Sequence, residues 1–165
     1  MKSLNWFILG LFVLAVFSRL LPHPANFSPI AAIALIAGRE LKNRSWAYFL
    51  PLGILFVSDL FLGLSWLNIF VYAGFLATVA ISRHSKIILA TLSSSLLFFV
   101  VSNFGVWAVA GYYPRSIAGL LECYAMAIPF LHRSMLGDFF YVGIFLGALT
   151  LYRQGAKCQI ISSKY

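Results

Sequence analysis

The sequence predicts an all-α membrane protein: a six-helix transmembrane bundle over residues 1–153, followed by a short cytoplasmic tail over 154–165. Two observations predict this fold class. The chain is 62% hydrophobic and 10% charged, whereas soluble domains average about 45–50% apolar and about 25% charged residues. Its 165 residues leave room for roughly six apolar segments near the 20 residues that cross a bilayer. We therefore expect the lipid bilayer to surround a single domain.

The third observation is the distribution of basic residues, which fixes the predicted orientation. Nine of the twelve Lys and Arg residues fall at the predicted helix ends on one side, and that side is cytoplasmic by the positive-inside rule. Both termini then face the cytoplasm of a multi-pass protein in the bacterial inner membrane. The net charge of +8 is spread singly, which indicates anionic lipid rather than nucleic acid as its partner. The nine are Lys2, Arg39, Lys42, Arg44, Arg83, Lys86, Arg153, Lys157 and Lys164.

Proline and serine define the first two helices, predicted over about Leu4 to Leu21 and Pro29 to Leu41. Helix 1 stops before Pro22, because proline lacks an amide donor and disfavours helix in the preceding residue. Ser28 is the predicted N-cap of helix 2. Helix 2 is only about 20 Å long, short of the roughly 30 Å of hydrocarbon, so its entry loop should dip inward. Its small residues permit close helix contacts: Ala31, Ala32, Ala34, Ala37 and Gly38.

Helices 3, 4 and 5 are predicted over about Trp46 to Leu64, Asn68 to Ser82 and Ile87 to Ala110. Helix 3 carries an acid, Asp59, toward its outer end. Helix 5 carries three consecutive serines at 93–95 and two larger polar side chains in its outer part, which are Asn103 and Trp107.

The longest connection lies before helix 6, which is predicted over about Leu136 to Tyr152. It contains an apolar segment, Ile117 to Leu131, that is too short to span and is interrupted by Pro129. We expect a half-buried helix lying over the outer face. Asp138 then falls at the start of helix 6, where the helix dipole and free amides favour a carboxylate.

Most of the strongly polar inventory outside the cytoplasmic ends falls on the outer side and forms the predicted substrate site. A charge at the centre of a membrane helix costs roughly 2.5–3.5 kcal/mol, so an intramembrane acid should be paired inside the bundle. Asp59 either forms a structural ion pair with Arg19 or contacts a ligand, and the sequence leaves both readings open. The predicted substrate-binding residues are Asn26, Asp59, Asn103, Trp107, Glu122 and Asp138, with Arg19, His23 and His132 in support.

Missing motifs argue against catalysis, metal binding and cofactors. The chain has no phosphate-binding G-x-x-x-x-G-K-[ST] loop and no H-E-x-x-H, G-x-S-x-G or C-x-x-C. The histidines lack helical i, i+4 spacing with another metal ligand. We expect no catalytic residue, no cofactor and no metal site. The two cysteines, Cys123 and Cys158, are predicted on opposite sides of the membrane and therefore unpaired.

Three stretches resemble an uncharacterised family of small bacterial inner-membrane proteins with a domain of unknown function. They are Arg19–Gly38 (RLLPHPANFSPIAAIALIAG), Phe49–Gly63 (FLPLGILFVSDLFLG) and Ser102–Gly137, which includes SNFGVWAVAGYYP, ECYAMAIPF and LGD. In layout that family is similar to the substrate-binding S-components of energy-coupling-factor transporters. The cobalt and nickel types carry histidine after the initiator Met, where this chain has Lys2.

The resemblance implies six helices with cytoplasmic termini, an outward substrate pocket, and separate transmembrane and ATPase partner subunits. The leading functional hypothesis is a small-molecule binding and uptake subunit energised by those partners. One alternative is a structural or assembly membrane protein whose polar cluster only locks the helices together. A third is an intramembrane enzyme that uses Glu122, His132 or Asp138 as its acid or base.

Overall fold

The described part of the chain, residues 10, 12–13, 15–21 and 27–162 of a computed structural model, is helical and contains no strand. Side chains are described to residue 155. Helix α1 covers the helical residues among 10–20. The last four helices, α3 to α6, are long and apolar enough to cross a membrane. The other bounds are α2 Ile30–Glu40, α3 Arg44–Leu62, α4 Leu67–His84, α5 Ile87–Val109 and α6 Ile117–Ser162.

The short helix α2 lies at the centre of the bundle. Its 11 residues reach only about 17 Å, and it contacts α3, α4, α5 and α6. Ala32, Ala34 and Leu35 are completely buried. At Gly38 an added Cβ would lie 2.6 Å from the carbonyl oxygen of Val79 on α4. The small residues of α2 therefore serve internal packing, as the sequence indicates.

Local sequence signals set the ends of α3, α4 and α5 within two residues of the predicted bounds. The Asn43 side chain caps α3 by accepting hydrogen bonds from the amides of Ser45 and Trp46. Gly63 and Gly111 follow α3 and α5 with φ of 105° and 74°, a conformation that only glycine adopts without strain.

Cationic side chains from three helices lie together at one end of the bundle, here called the basic end. Arg39 donates to the carbonyl of Ser85 and Arg83 to the carbonyl of Gly38, each at 3.1 Å. Arg153 forms an ion pair with Glu40. These residues come from the helix ends that the charge distribution assigns to the cytoplasm. The opposite end, where α3 and α5 finish, corresponds to the predicted outer side.

The connection before helix 6 differs from the prediction. A single helix of 46 residues, α6, replaces the half-buried segment and the separate sixth helix. Pro129 removes one backbone hydrogen bond, but the preceding turns are fixed against α5. Tyr124 donates to the carbonyl of Val100 at 2.7 Å, and the Cys123 thiol lies 3.5 Å from the carbonyl of Asn103. These tertiary contacts favour continued helix on both sides of the proline.

The C-terminal end of α6 extends into the segment predicted as the cytoplasmic tail. The helix continues beyond Arg153 to Ser162, so most of the segment predicted as a tail extends α6. No proline lies between Pro129 and the end of the chain, and the sequence offers no strong stop signal there.

Candidate functional site

A cavity of about 230 Å³ lies at the N-terminal end of α2, and all six helices contribute to its wall. Its apolar wall includes Leu55, Phe75 and Phe98. We call it the α2 cavity. Its polar side chains come from four of the helices and from the segment just before α2. They are Arg19, Ser28, Thr78, Ser94, Ser134 and Asp138.

The start of α2 faces this cavity without a side-chain cap. Pro29, not Ser28, occupies the N-cap position, so the predicted Ser28 cap is wrong. The Ser28 hydroxyl is buried and has no hydrogen-bond partner among the described residues. Proline has no side-chain acceptor, and the first amides of a helix have no partner within it. The amides of Ile30 and Ala31, both wall residues, therefore leave a positive dipole end beside the cavity.

Ser94 on α5 provides a second unpartnered hydroxyl in the same wall. The residue is 3% exposed, and its Oγ has no partner in the described ranges. Two neighbours on α5 behave differently: Thr91 and Ser102 each donate to the backbone carbonyl four residues earlier. Leaving a buried hydroxyl unpaired costs about 1–3 kcal/mol. The Ser94 hydroxyl is therefore available to bond to a group placed inside the cavity.

Asp138 supplies a carboxylate to the cavity from the middle of α6. The residue is 5% exposed, and its Oδ2 accepts a 2.7 Å hydrogen bond from the Ser95 hydroxyl. The only ion pairs between described residues are Arg19–Asp59 and Arg153–Glu40, so Asp138 has no cationic partner there. The predicted role as a helix cap is wrong, because α6 begins at Ile117.

Arg19 and Asp59 form the predicted ion pair, with 2.8 Å between guanidinium and carboxylate. Asp59 is 3% exposed and its Oδ2 also accepts hydrogen bonds from Asn68 and Tyr72, each at 2.8 Å. Arg19 donates to the Ser58 hydroxyl at 3.0 Å. Arg19 lines the α2 cavity and Asp59 does not. The geometry gives Asp59 a structural role that fixes Arg19 in the wall.

A second cavity of about 210 Å³, the outer cavity, lies beside the first between α4, α5 and α6. Both are lined by Val71, Phe98 and Ser134. Phe98 packs against Phe75 with 5.0 Å between ring centroids. Predicted site residue Asn103 lines the outer cavity, and its side chain donates to the carbonyl of Phe99 at 2.8 Å.

The remaining predicted site residues do not join these cavities. Trp107 lines neither of them and donates to the carbonyl of Pro114 at 3.0 Å, which fastens the end of α5 to the following turn. Glu122 and His132 are exposed on α6. Asn26 and His23 lie outside the described residues. No group of three potential metal ligands occurs among the described residues.

Sequence reasoning did not single out Ser94 and Ser134, the two hydroxyls that α5 and α6 contribute to the cavity. One signal for Ser94 was present, since three consecutive serines interrupt an otherwise apolar helix. Sequence spacing does not reveal which of those serines has its hydroxyl satisfied by its own helix. Only the three-dimensional structure shows that the Ser94 hydroxyl has no partner among the described residues.

Comparison with known proteins identifies a family. A model of the family of unknown function DUF6580 matches residues 1–160. No curated protein and no solved structure matches the chain. Since the match covers nearly the whole sequence, this helical chain belongs to the DUF6580 family.

Proposed function

We propose that this chain is a small-molecule binding and uptake subunit of the bacterial inner membrane, and that its ligand occupies the α2 cavity. The observation that carries the proposal is the buried hydroxyl of Ser94, which lines this cavity without a hydrogen-bond partner in the described chain. In a bundle surrounded by lipid, polar groups are found where they are paired or used.

The convergence of polar groups supports binding rather than incidental polarity. A guanidinium, a carboxylate, hydroxyls and a helix N-terminus come from separate elements of the chain and meet at one cavity. Ligand sites are usually concave and mainly apolar, with a few convergent polar groups that fix orientation. The α2 cavity has this composition, since Leu55, Phe75 and Phe98 complete its wall.

The outer cavity supports uptake from the outer side. It is lined by Leu67 at the start of α4 and by Asn103 and Val106 in the last third of α5. Those residues lie toward the end of the bundle opposite Arg39, Arg83 and the rest of the basic end. With the basic end in the cytoplasm, a ligand would pass from the outer cavity by way of Phe98 to the α2 cavity.

The resemblance to S-components adds an expectation about energy supply. An α2 of 11 residues surrounded by longer helices fits the predicted six-helix layout with an outward pocket. The chain carries no phosphate-binding loop of its own, so a transmembrane partner and an ATPase would have to power uptake. Both partners and the S-component relationship belong to the proposal.

A structural or assembly role is the second candidate, and the Arg19–Asp59 cluster favours it. Asn68 and Tyr72 complete the coordination of Asp59 and fasten α4 to α3. That cluster accounts for one polar region only. It does not account for Ser94 and Asp138, which lie elsewhere in the wall of the cavity. The enzymatic reading gains no support from Glu122 and His132, which are exposed on α6.

The test is to identify small molecules extracted from detergent-purified protein by liquid chromatography and mass spectrometry. Ala31→Leu places a larger side chain in the wall of the α2 cavity, whereas the matched control Ala148→Leu changes an exposed position on α6. We expect one compound to copurify in near-equal amount with the wild type and with Ala148→Leu, and to be lost from Ala31→Leu. Equal recovery from all three proteins, or no compound from any, would overturn the proposal.

A further inference from the structure

We infer that the ligand of the α2 cavity is a small zwitterion, with its anionic group at the start of α2 and its cationic group at Asp138. This inference rests on the proposed function and names the chemical class of its substrate. It draws on three features of the cavity, which are the helix N-terminus on one side, the Asp138 carboxylate on the other, and the volume between them.

The N-terminus of α2 would hold the anionic group of the ligand. Ile30 and Ala31 line the cavity, and the first amides of a helix have no partner within it. A helix N-terminus of this kind binds carboxylate and phosphate groups. The Ser28 and Ser94 hydroxyls, both buried and without a partner in the described segments, add two donors in the same wall.

Arg19 adds little net charge to this side of the cavity. Its guanidinium lies 2.8 Å from the Asp59 carboxylate and 3.0 Å from the Ser58 hydroxyl, so the pair is close to neutral as seen from the cavity. The helix terminus and the two hydroxyls remain as the donors available to an anionic group.

The Asp138 carboxylate would hold the cationic group of the ligand. Its carboxylate is buried, and Ser95 is the neighbour that donates to it. Arg19, the cationic side chain in the cavity wall, is already paired with Asp59. An ionised carboxylate in a membrane interior is costly without a counter-charge. An ammonium group on the ligand would supply that charge and would be held by a charge-assisted hydrogen bond.

The volume of the cavity favours a compact ligand. At about 30 Å³ for each water in the liquid, the cavity of about 230 Å³ holds roughly eight water-sized groups. Pockets for drug-sized ligands run from about 300 to 1,000 Å³. The α2 cavity is therefore suited to an amino-acid-sized molecule, and both charged groups must be present within that size.

The experiment measures dissociation constants of the full-length protein in detergent by isothermal titration calorimetry. The probes are ω-amino acids from glycine to 6-aminohexanoate, together with the carboxylic acid and the primary amine of each chain length. We expect at least one amino acid to bind at least tenfold more tightly than both of its singly charged counterparts. An acid or an amine that binds as tightly as the amino acid overturns the inference and leaves the proposed function standing.

The variants assign the two sides of the cavity. Asp138→Asn should weaken the best amino acid at least tenfold without weakening the matching acid, a selective effect that general loss of structure does not produce. Ser94→Ala should weaken the amino acid and the acid together. Glu122→Gln, which alters an exposed acid on the same helix, should change neither. If no probe binds the wild type, or if the copurified compound carries fewer than two opposite charges, the inference is wrong.

Discussion

Removing the Asp59 charge should destabilise the bundle through its partner rather than through the ligand site. Asp59→Asn keeps the shape of the side chain but leaves the Arg19 guanidinium without its counter-charge at 2.8 Å. The Asp59 and Arg19 side chains are only 4% and 19% exposed. Breaking a buried ion pair by removing one partner costs about 3–5 kcal/mol. Because an amide oxygen can still accept from Asn68 or Tyr72, we expect a loss of unfolding free energy near the lower end, about 3 kcal/mol.

The double variant distinguishes this mechanism from simple loss of packing. In Arg19→Met combined with Asp59→Asn, no unpaired charge remains, and replacing both partners of a buried pair is often close to neutral. The double variant should therefore recover at least about 2 kcal/mol relative to Asp59→Asn alone.

The assay is reversible unfolding in mixed micelles, followed by circular dichroism. Glu122→Gln serves as the control, because this exposed acid has no ion pair among the described residues. A loss below about 1 kcal/mol for Asp59→Asn, the value typical of exposed pairs, would refute the reasoning. A double variant no more stable than the single one would refute it too.

Two further changes test the packing of α2 and the orientation of the chain. Gly38→Ala should lower the free energy of unfolding by about 1–3 kcal/mol in the same assay, because its Cβ would lie 2.6 Å from the Val79 carbonyl oxygen and closer still to the Ser82 hydroxyl. The control Gly143→Ala has open space around its Cβ and should be neutral or stabilising. In a background without the native cysteines, Ser65→Cys in the α3–α4 turn should react with a membrane-impermeant maleimide on intact spheroplasts, and Ser85→Cys at the basic end should not; the reverse labelling pattern would invert the topology.

The sequence predicted the parts of the fold that local signals control. Apolar segment length predicted α3 within two residues of its bounds, and in the structure Asn43 caps its start and Gly63 follows its end. The Arg19–Asp59 ion pair was one of two readings that the sequence left open, because an acid in an apolar helix needs a nearby counter-charge, and the structure contains this pair. The continuous α6 could not be predicted in this way, since contacts of Tyr124 and Cys123 with α5 offset the effect of Pro129.

The candidate site was predicted in part. Asp138, Arg19 and Asn103 line the two cavities, but Trp107 and Glu122 fall elsewhere. Adjacent residues of the same type differ in their hydrogen bonding, which the sequence does not show. Ser95 bonds to Asp138, while the neighbouring Ser94 has a hydroxyl without a partner in the described residues. Only the packing of α5 against α6 determines which serine meets which neighbour.

The central claim is that Ser94 lies in the wall of a ligand-binding cavity, and the reactivity of a cysteine at that position tests it most directly. In purified Ser94→Cys without the native cysteines, we predict rapid modification by 2-aminoethyl methanethiosulfonate, because position 94 lies in the wall of the cavity. The amino acid that binds most tightly should slow the reaction. A rate no higher than that of Thr91→Cys, at a fully buried position of α5 that lines neither cavity, or a rate unaffected by the amino acid, would contradict the prediction.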